Sequence, residues 1–560
     1  MVPPAQTTPE KPYIGYAGYA PEDQKIPTDE LGSTYIPVDS WVYPALSRLY
    51  SMGFVNTMFL GMRPYSRRAV LHMLEASQSD IVNSDNEEAQ DILAKLFAEL
   101  SAEDPGIYSR ALVYGLDSSY TRLLGIDGPV LRDSFHLGQT INNDYGRPYQ
   151  SGFNSIAGAS TTNEWGPFSL YVRGEYQHAP SAVGYSDSLA SQLNFIDEIN
   201  YSGPQDTLPA GQIVAQNPFR LVEAYASVHV LGHEISGGKS DAWLGPATGS
   251  SLAWSNNAEN TYSFRINRVE PLSIPFVSKV LGPVRYDFFV GPLSGHTVPR
   301  SPWIHAEMFS FRPTENFEFG FERTIIWGGN GHEPVTLHTF FHGFFDPNDT
   351  NPGEKNSPND PGARFSDFSA SYRLPLLRRY VTFYADTISH DDVTPISAPR
   401  RASFRTGLYL SQIPRLRKLD FRVEAVSTDP GVGAASRGQF AYWEVVQVQG
   451  YTNKGFILGD WIGREAKGGQ AWLTYHISGN EWLQLEYLNK KTPANFIPGG
   501  TTQNQFKASV VKRLGRDVEL NAWVQYEGWK APIYKPGLQK NTSIAAQFTW
   551  YPKLRSYPQH

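Results

Sequence analysis

Between about residues 131 and 551 the chain alternates apolar and polar positions with a period of two, in about eighteen short segments. In residues 518–527, Val518, Leu520, Ala522, Val524 and Tyr526 are apolar, and most of the positions between them are charged or amide. Leu419, Phe421 and Val423 alternate in the same way with Asp420, Arg422 and Glu424, and Phe317, Phe319 and Phe321 with Glu318, Gly320 and Glu322. Side chains on a strand point to opposite faces in turn, so each segment presents one apolar and one polar face. A soluble sandwich would alternate too, and the period alone does not separate it from a barrel in a membrane.

The rhythm of the connections does. Short connections at 514–517, 478–481, 413–418, 374–379, 313–316 and 231–234 alternate with long ones at 528–540, 491–502, 428–467, 389–400, 328–362, 241–260 and 179–218. Tight turns at one rim and long loops at the other describe an outer-membrane barrel with its turns in the periplasm. Starting with an upward strand at 131–142 and closing with a downward one at 541–551, the predicted fold is mainly β, a transmembrane antiparallel β-barrel of about eighteen strands. Ile544, Ala546, Phe548 and Trp550 give the last strand an apolar ridge expected to carry the assembly signal, with 552–560 as a tail.

The first part of the chain changes period. Residues 1–32 are rich in Pro, Tyr and Gly and read as an extended tail. Residues 33–105 predict a small helical bundle on the periplasmic side, near or inside the barrel mouth. Asp39 or Ser40 would cap a helix carrying Val42, Leu46 and Leu49, and Ser66 one carrying Val70, Leu71 and Leu74. A third from Asp85 would carry Ala89, Ile92, Leu93 and Leu96. Residues 106–130 read as a linker with some strand character.

Composition narrows the alternatives. No run approaches the ~18–20 apolar residues of a membrane helix, so the chain spans as strands or not at all. The 560 residues include no Cys, which removes disulfides, thiolate metal sites and cysteine catalysis. A net charge of -7 without dense Lys/Arg runs gives no reason to expect a nucleic-acid partner. No basic and apolar export leader opens the chain; a processed chain with a start Met, or a misassigned start, is expected.

Two blocks carry a resemblance. One is the run from Thr34 to Gly53 (TYIPVDSWVYPALSRLYSMG), followed by Arg63-Pro-Tyr-Ser-Arg67. The other comprises Leu221-Val-Glu-Ala-Tyr225, Gly238-Lys239, Trp243-Leu-Gly-Pro246 and Ser250-Ser-Leu-Ala-Trp-Ser-Asn-Asn-Ala258. Together they resemble the capsule-assembly, Wzi-type outer-membrane proteins, with one departure: Leu244 stands where that family usually has a second Trp. The resemblance implies an eighteen-stranded barrel with a periplasmic bundle, acting without catalysis or cofactor as a lectin for exported polysaccharide. Its expected partners are capsular or extracellular polysaccharide and outer-membrane lipids, and its expected state is a monomer. The helical opening alone also resembles an S-layer homology repeat, a module that normally occurs in threes; one copy is visible.

A glycan site needs flat aromatic faces and fixed polar groups. The long loops supply Trp243, Trp254, Trp327, His332, Trp443, Trp461 and Trp529. Lys239, Trp243, Asn256 and Asn257 join a cation, a stacking face and two amides over a short span of an outer-rim loop, and the loop residues Trp327 and His332 with the lumen-facing Arg265 complete the expected binding set. The alternative for this loop is that it folds inward and plugs the barrel. Charges of both signs on the polar faces, Arg173, Glu223, Arg265, Asp287, Arg422 and Glu424 among them, read as wall braces, or less readily as a track for an anionic polymer. His332-Glu333 with His338 and His342 has metal-like spacing, but the Phe-rich segment 334–345 reads better as a loop helix packed into the barrel mouth, and no metal is expected. A Gly-x-Ser-x-Gly elbow is absent. A polysaccharide-binding protein is therefore the leading reading, a substrate-specific pore the second, and a barrel enzyme the third.

Overall fold

The alternating segments pair in chain order as neighbouring antiparallel strands and close on themselves. A computed structural model describes residues 31–103, 110–199, 205, 208–332, 334–345, 353, 360, 362–390, 395–396, 399–431 and 437–558. The tail at 1–30, the start of the expected linker and Glu333 lie outside the described residues. Eighteen strands, from Arg110–Asp127 to Lys535–Trp550, form one closed antiparallel barrel. First and last strands seal it, Ser119 opposite Trp550 and Asp127 opposite Thr542. The outward positions Leu485, Phe506 and Ile544 are exposed apolar groups, as a hydrocarbon-facing surface requires. The inward positions pair: Arg173 sits opposite Glu223 at 3.8 Å, and Arg405 reaches Glu424 at 2.7 Å.

Three expected boundaries are corrected. The first strand is Arg110–Asp127, not 131–142, so most of the expected linker is wall. Its inner face is mixed: Leu124 and Ile126 point inward onto an apolar cluster beside Arg122, while Leu123 and Gly125 point out. The connection 528–540 is a tight turn, because the strands Val518–Ala531 and Lys535–Trp550 run on almost to meet. In the expected tail, Arg555–Pro558 pairs with the foot of the first strand, Tyr114 opposite Arg555.

Helices α1 (Val42–Ser51), α2 (Arg67–Val82) and α3 (Glu87–Glu99) form the bundle around one apolar cluster that includes Leu46, Leu49, Val70, Leu74, Ile92 and Leu96. Ser66 caps α2 through the Ala69 amide at 3.3 Å, while Asn86 rather than Asp85 caps α3. At α1 the N-cap position is Trp41, which offers no side-chain acceptor, but the expected Ser40 hydroxyl, one residue earlier, accepts from the Val42 amide at 3.3 Å. The bundle seats on the short-turn rim. Arg373 donates to the Tyr50 carbonyl at 2.9 Å, Arg48 to that of Arg417 at 2.9 Å, and the Gly479 amide to Asp91 at 2.6 Å. A Cβ at Gly479 would fall 2.8 Å from the Ile92 Cα, so this turn admits α3 only as glycine.

Candidate functional site

Long connections at the opposite rim turn inward and fill the lumen. Phe135, Leu252, Trp254, Tyr451, Trp461 and Ile462 pack with the wall residues Phe289, Ile304 and Phe365 in one buried cluster. The plug is continuous with the N-terminal segment, because Met62–Arg63 pairs antiparallel with Trp243–Leu244. Buried polar groups lock the loops together. His136 lies between Asp133 (3.0 Å) and Asp197 (2.9 Å), Asp197 also accepts from Arg464 at 2.6 Å, and Tyr185 donates to Asp133 at 3.2 Å. Burial alone would pull the His136 imidazole down, but the two carboxylates outweigh it and hold it up at about 9.

Five of the seven expected binding residues lie inside the lumen rather than at the outer rim, Trp243, Asn256 and Asn257 in the plug and Lys239 and Arg265 on the wall strands His233–Lys239 and Tyr262–Arg268 around it. Lys239 donates to Glu259 and to the Leu221 carbonyl, the latter at 2.6 Å. Trp243 bonds the Ala247 carbonyl at 3.2 Å, with the Arg63 guanidinium 5.3 Å from its ring. The Asn256 carbonyl accepts from the Tyr145 amide at 2.7 Å, and the Asn257 side chain donates to the Ile457 carbonyl at 3.0 Å. Arg265 is bound to Asp287 at 2.9 Å and faces the Tyr35 ring at 5.3 Å. The outer-rim placement is thereby overturned: loop 241–260 folds inward, because its Trp, Leu and Ala side chains gain a core there. The other two stand apart. Trp327 is buried against His305, ring centroids 4.5 Å apart, beneath helix Leu337–Phe345, whose His338 and His342 stack at 6.3 Å. His332 is half-buried in the following loop.

The plug does not reach one side of the wall. Against the strands Lys467–Ser478, Glu481–Thr492, Thr501–Arg513 and Val518–Ala531 it leaves a cavity of about 440 Å³, within the range of small-molecule sites. Trp472, Trp482 and Trp523 line it, with the amides Gln470, Gln484, Gln505 and Gln525. Trp41 and Arg48 of α1 and Ile92 of α3 form its floor, and Asn142, Asn143, Thr248 and Gly249 its roof. The lumen face is half-buried here at Gln484, Glu486, Lys507, Ser509 and Trp523. Part of the polar lining is self-satisfied: Gln470 donates to Glu486 at 2.9 Å, Gln484 to Thr474 at 3.0 Å, and Tyr409 to Asp420 at 3.0 Å. A wider groove of about 1150 Å³ lies outside the barrel, between α2, α3 and the rim. It is lined by charged and aliphatic side chains that seat the bundle, such as Arg67, Leu93, Glu99 and Arg513, and holds no tryptophan.

The profile of one family, capsule assembly protein Wzi, matches residues 125–544. The chain belongs to that family. Among solved structures, a Wzi from Escherichia coli, described as an outer membrane protein involved in group 1 capsule assembly and a carbohydrate-binding β-barrel, is similar with a TM-score of 0.66 at 17% identity over 93% of this chain and 99% of that one. OccAB3 of Acinetobacter baumannii gives a TM-score of 0.40 at 8% identity, over 78% of this chain and 99% of its own. OprD of Pseudomonas aeruginosa gives 0.39 at 9%, over 80% and 96%. No curated protein matches by sequence. In this Wzi-family barrel the three chamber tryptophans were the residues that sequence reasoning missed. Their signal was present: Trp472, Trp482 and Trp523 occupy the polar register of otherwise regular amphipathic strands, where amides and charges are the rule.

Proposed function

We propose that the protein is an outer-membrane barrel that binds capsular or extracellular polysaccharide and holds or organises it at the cell surface, without chemically altering it. The short-turn rim and its bundle then face the periplasm, and the long connections the outside. The observation that carries this reading is the filled lumen. The loops that would have to stand clear in a pore are instead its buried core, and the space left over is lined by indole rings and amides, the groups that meet sugar C–H faces and hydroxyls. The substrate-specific pore is the reading this disfavours. Two measurements on the full chain test it. Purified protein should co-sediment with the extracellular polysaccharide of the cell that makes it, and should pass almost no current in planar bilayers. Steady ion-selective conductance without polysaccharide binding would replace the binding protein with the pore.

A further inference from the structure

We infer that the lumen chamber is itself a saccharide-binding site, and that Lys507 makes it selective for acidic sugars. The inference rests on the polysaccharide-binding reading and locates it. Three features point to a ligand. Gln484, Glu486, Lys507, Ser509 and Trp523 are half-buried where they face the chamber, while Gln503, a lumen position further along the strand of Lys507 and outside the chamber, is covered. Two lining atoms have no protein partner: the buried Trp41 indole N–H at the floor and the Asn142 side-chain oxygen at the roof. Buried polar groups in folded proteins are as a rule hydrogen-bonded. Trp523 adds a stacking face, with the Lys507 ammonium 5.1 Å from its ring centre.

Lys507 supplies the selectivity. Among the described residues it forms no ion pair. Its cross-strand neighbour Glu486 accepts from Gln470 instead, and its other neighbour is the neutral Gln525. The remaining lining arginines are engaged: Arg122 with Asp144 at 2.7 Å, Arg48 with Glu88 at 3.3 Å, and Arg422 through hydrogen bonds to the Thr248 and Ser47 hydroxyls as well as over the Tyr409 ring at 3.9 Å. A half-buried ammonium beside an indole and amides, with Glu486 across from it turned to Gln470, fits a sugar ring bearing a carboxylate: the ring stacks, the hydroxyls meet Gln484, Gln525 and Trp41, and the acid meets Lys507.

The test uses the full chain in detergent micelles. The probe is the producing cell's extracellular polysaccharide cut to short oligosaccharides, in native form and with its carboxyl groups reduced to alcohols. Tryptophan fluorescence and titration calorimetry should show the native form binding about tenfold more tightly, and Lys507→Gln should remove that difference. Ser509→Trp, which fills the chamber, should abolish binding of both forms while the thermal midpoint stays unchanged. Lys507→Gln, a half-buried and near-isosteric change, keeps the test standing if Ser509→Trp does not fold. Wild-type affinity in a folded Ser509→Trp protein would place the polymer elsewhere and overturn the chamber, leaving the proposed function intact. Equal affinity for native and reduced oligosaccharides would overturn the acidic selectivity. Absence of any binding by the wild type to polymer or fragments would sink the proposed function and this inference with it.

Discussion

A single residue shows how strongly the interior depends on paired charge. His136 carries a folded-state value of about 9, above its unfolded value of ~6.5. Its contribution to stability is therefore complete below about pH 6.5 and fades as pH rises through about 9. His136→Gln should lower stability by roughly 3 kcal/mol at pH 6, because Asp133 and Asp197 keep fewer partners in a buried site. At pH 9.5 the gap between variant and wild type should nearly close. Thermal unfolding of both proteins at the two pH values checks this, and a gap that does not change with pH would mean that His136 does not titrate between them. The same scale explains the misplaced site. Trp243 and Trp523 are the same residue type, yet the first lies in a loop and is buried in the plug, while the second lies on a strand and faces a cavity. Residue type does not encode that difference; the place of Trp523 in the polar register of its strand does, and for Trp243 only the folding of the loop decides.

At the scale of elements, the loop 241–260 is held by its tip as well as by its core. The Thr248 and Gly249 amides donate to Glu424 at 2.9 and 3.1 Å, and Glu424 is bound by Arg405 at 2.8 Å. The fit is close, since a Cβ at Gly249 would lie 2.1 Å from the Gln470 side-chain oxygen. Glu424→Ala removes the anchor and leaves Arg405 with Asp460 as its remaining carboxylate partner. The expected loss is about 3–5 kcal/mol, together with faster proteolysis within 244–258 and a rise in bilayer current above the wild type. If stability fell while current and proteolysis stayed at wild-type levels, the loop would be held by its apolar core alone. The helices and most strands were legible because each carries its own period. The first strand was not, because the plug makes its inner face partly apolar and so blurs the contrast on which the reading relies.

For the whole molecule, closure is the decisive event. The last strand completes the hydrogen bonding of the first, and Arg555–Pro558 extends that seam to the short-turn rim. A barrel without it exposes two unpaired edges in hydrocarbon, where unsatisfied backbone groups cost several kcal/mol each. Deleting residues 541–558 should therefore abolish the compact, heat-modifiable form on a semi-native gel and its protease resistance in membranes. A truncated chain that kept both would show that the seam is dispensable.

The sequence by itself determined what is local. Period two marked most strands and their outward face, the spacing of apolar residues marked the helices, and the alternation of short and long connections pointed to the barrel, although these signals put the first strand at 131–142 instead of Arg110–Asp127 and made one tight turn a long loop. Tertiary structure alone decided whether the long loops stand out or fold in, and hence which side chains meet a ligand. That choice depends on partners far apart in the chain, such as Asn257 and Ile457, 200 residues distant. Burial rewards such contacts only once the wall has closed around them, so no window along the sequence contains the information.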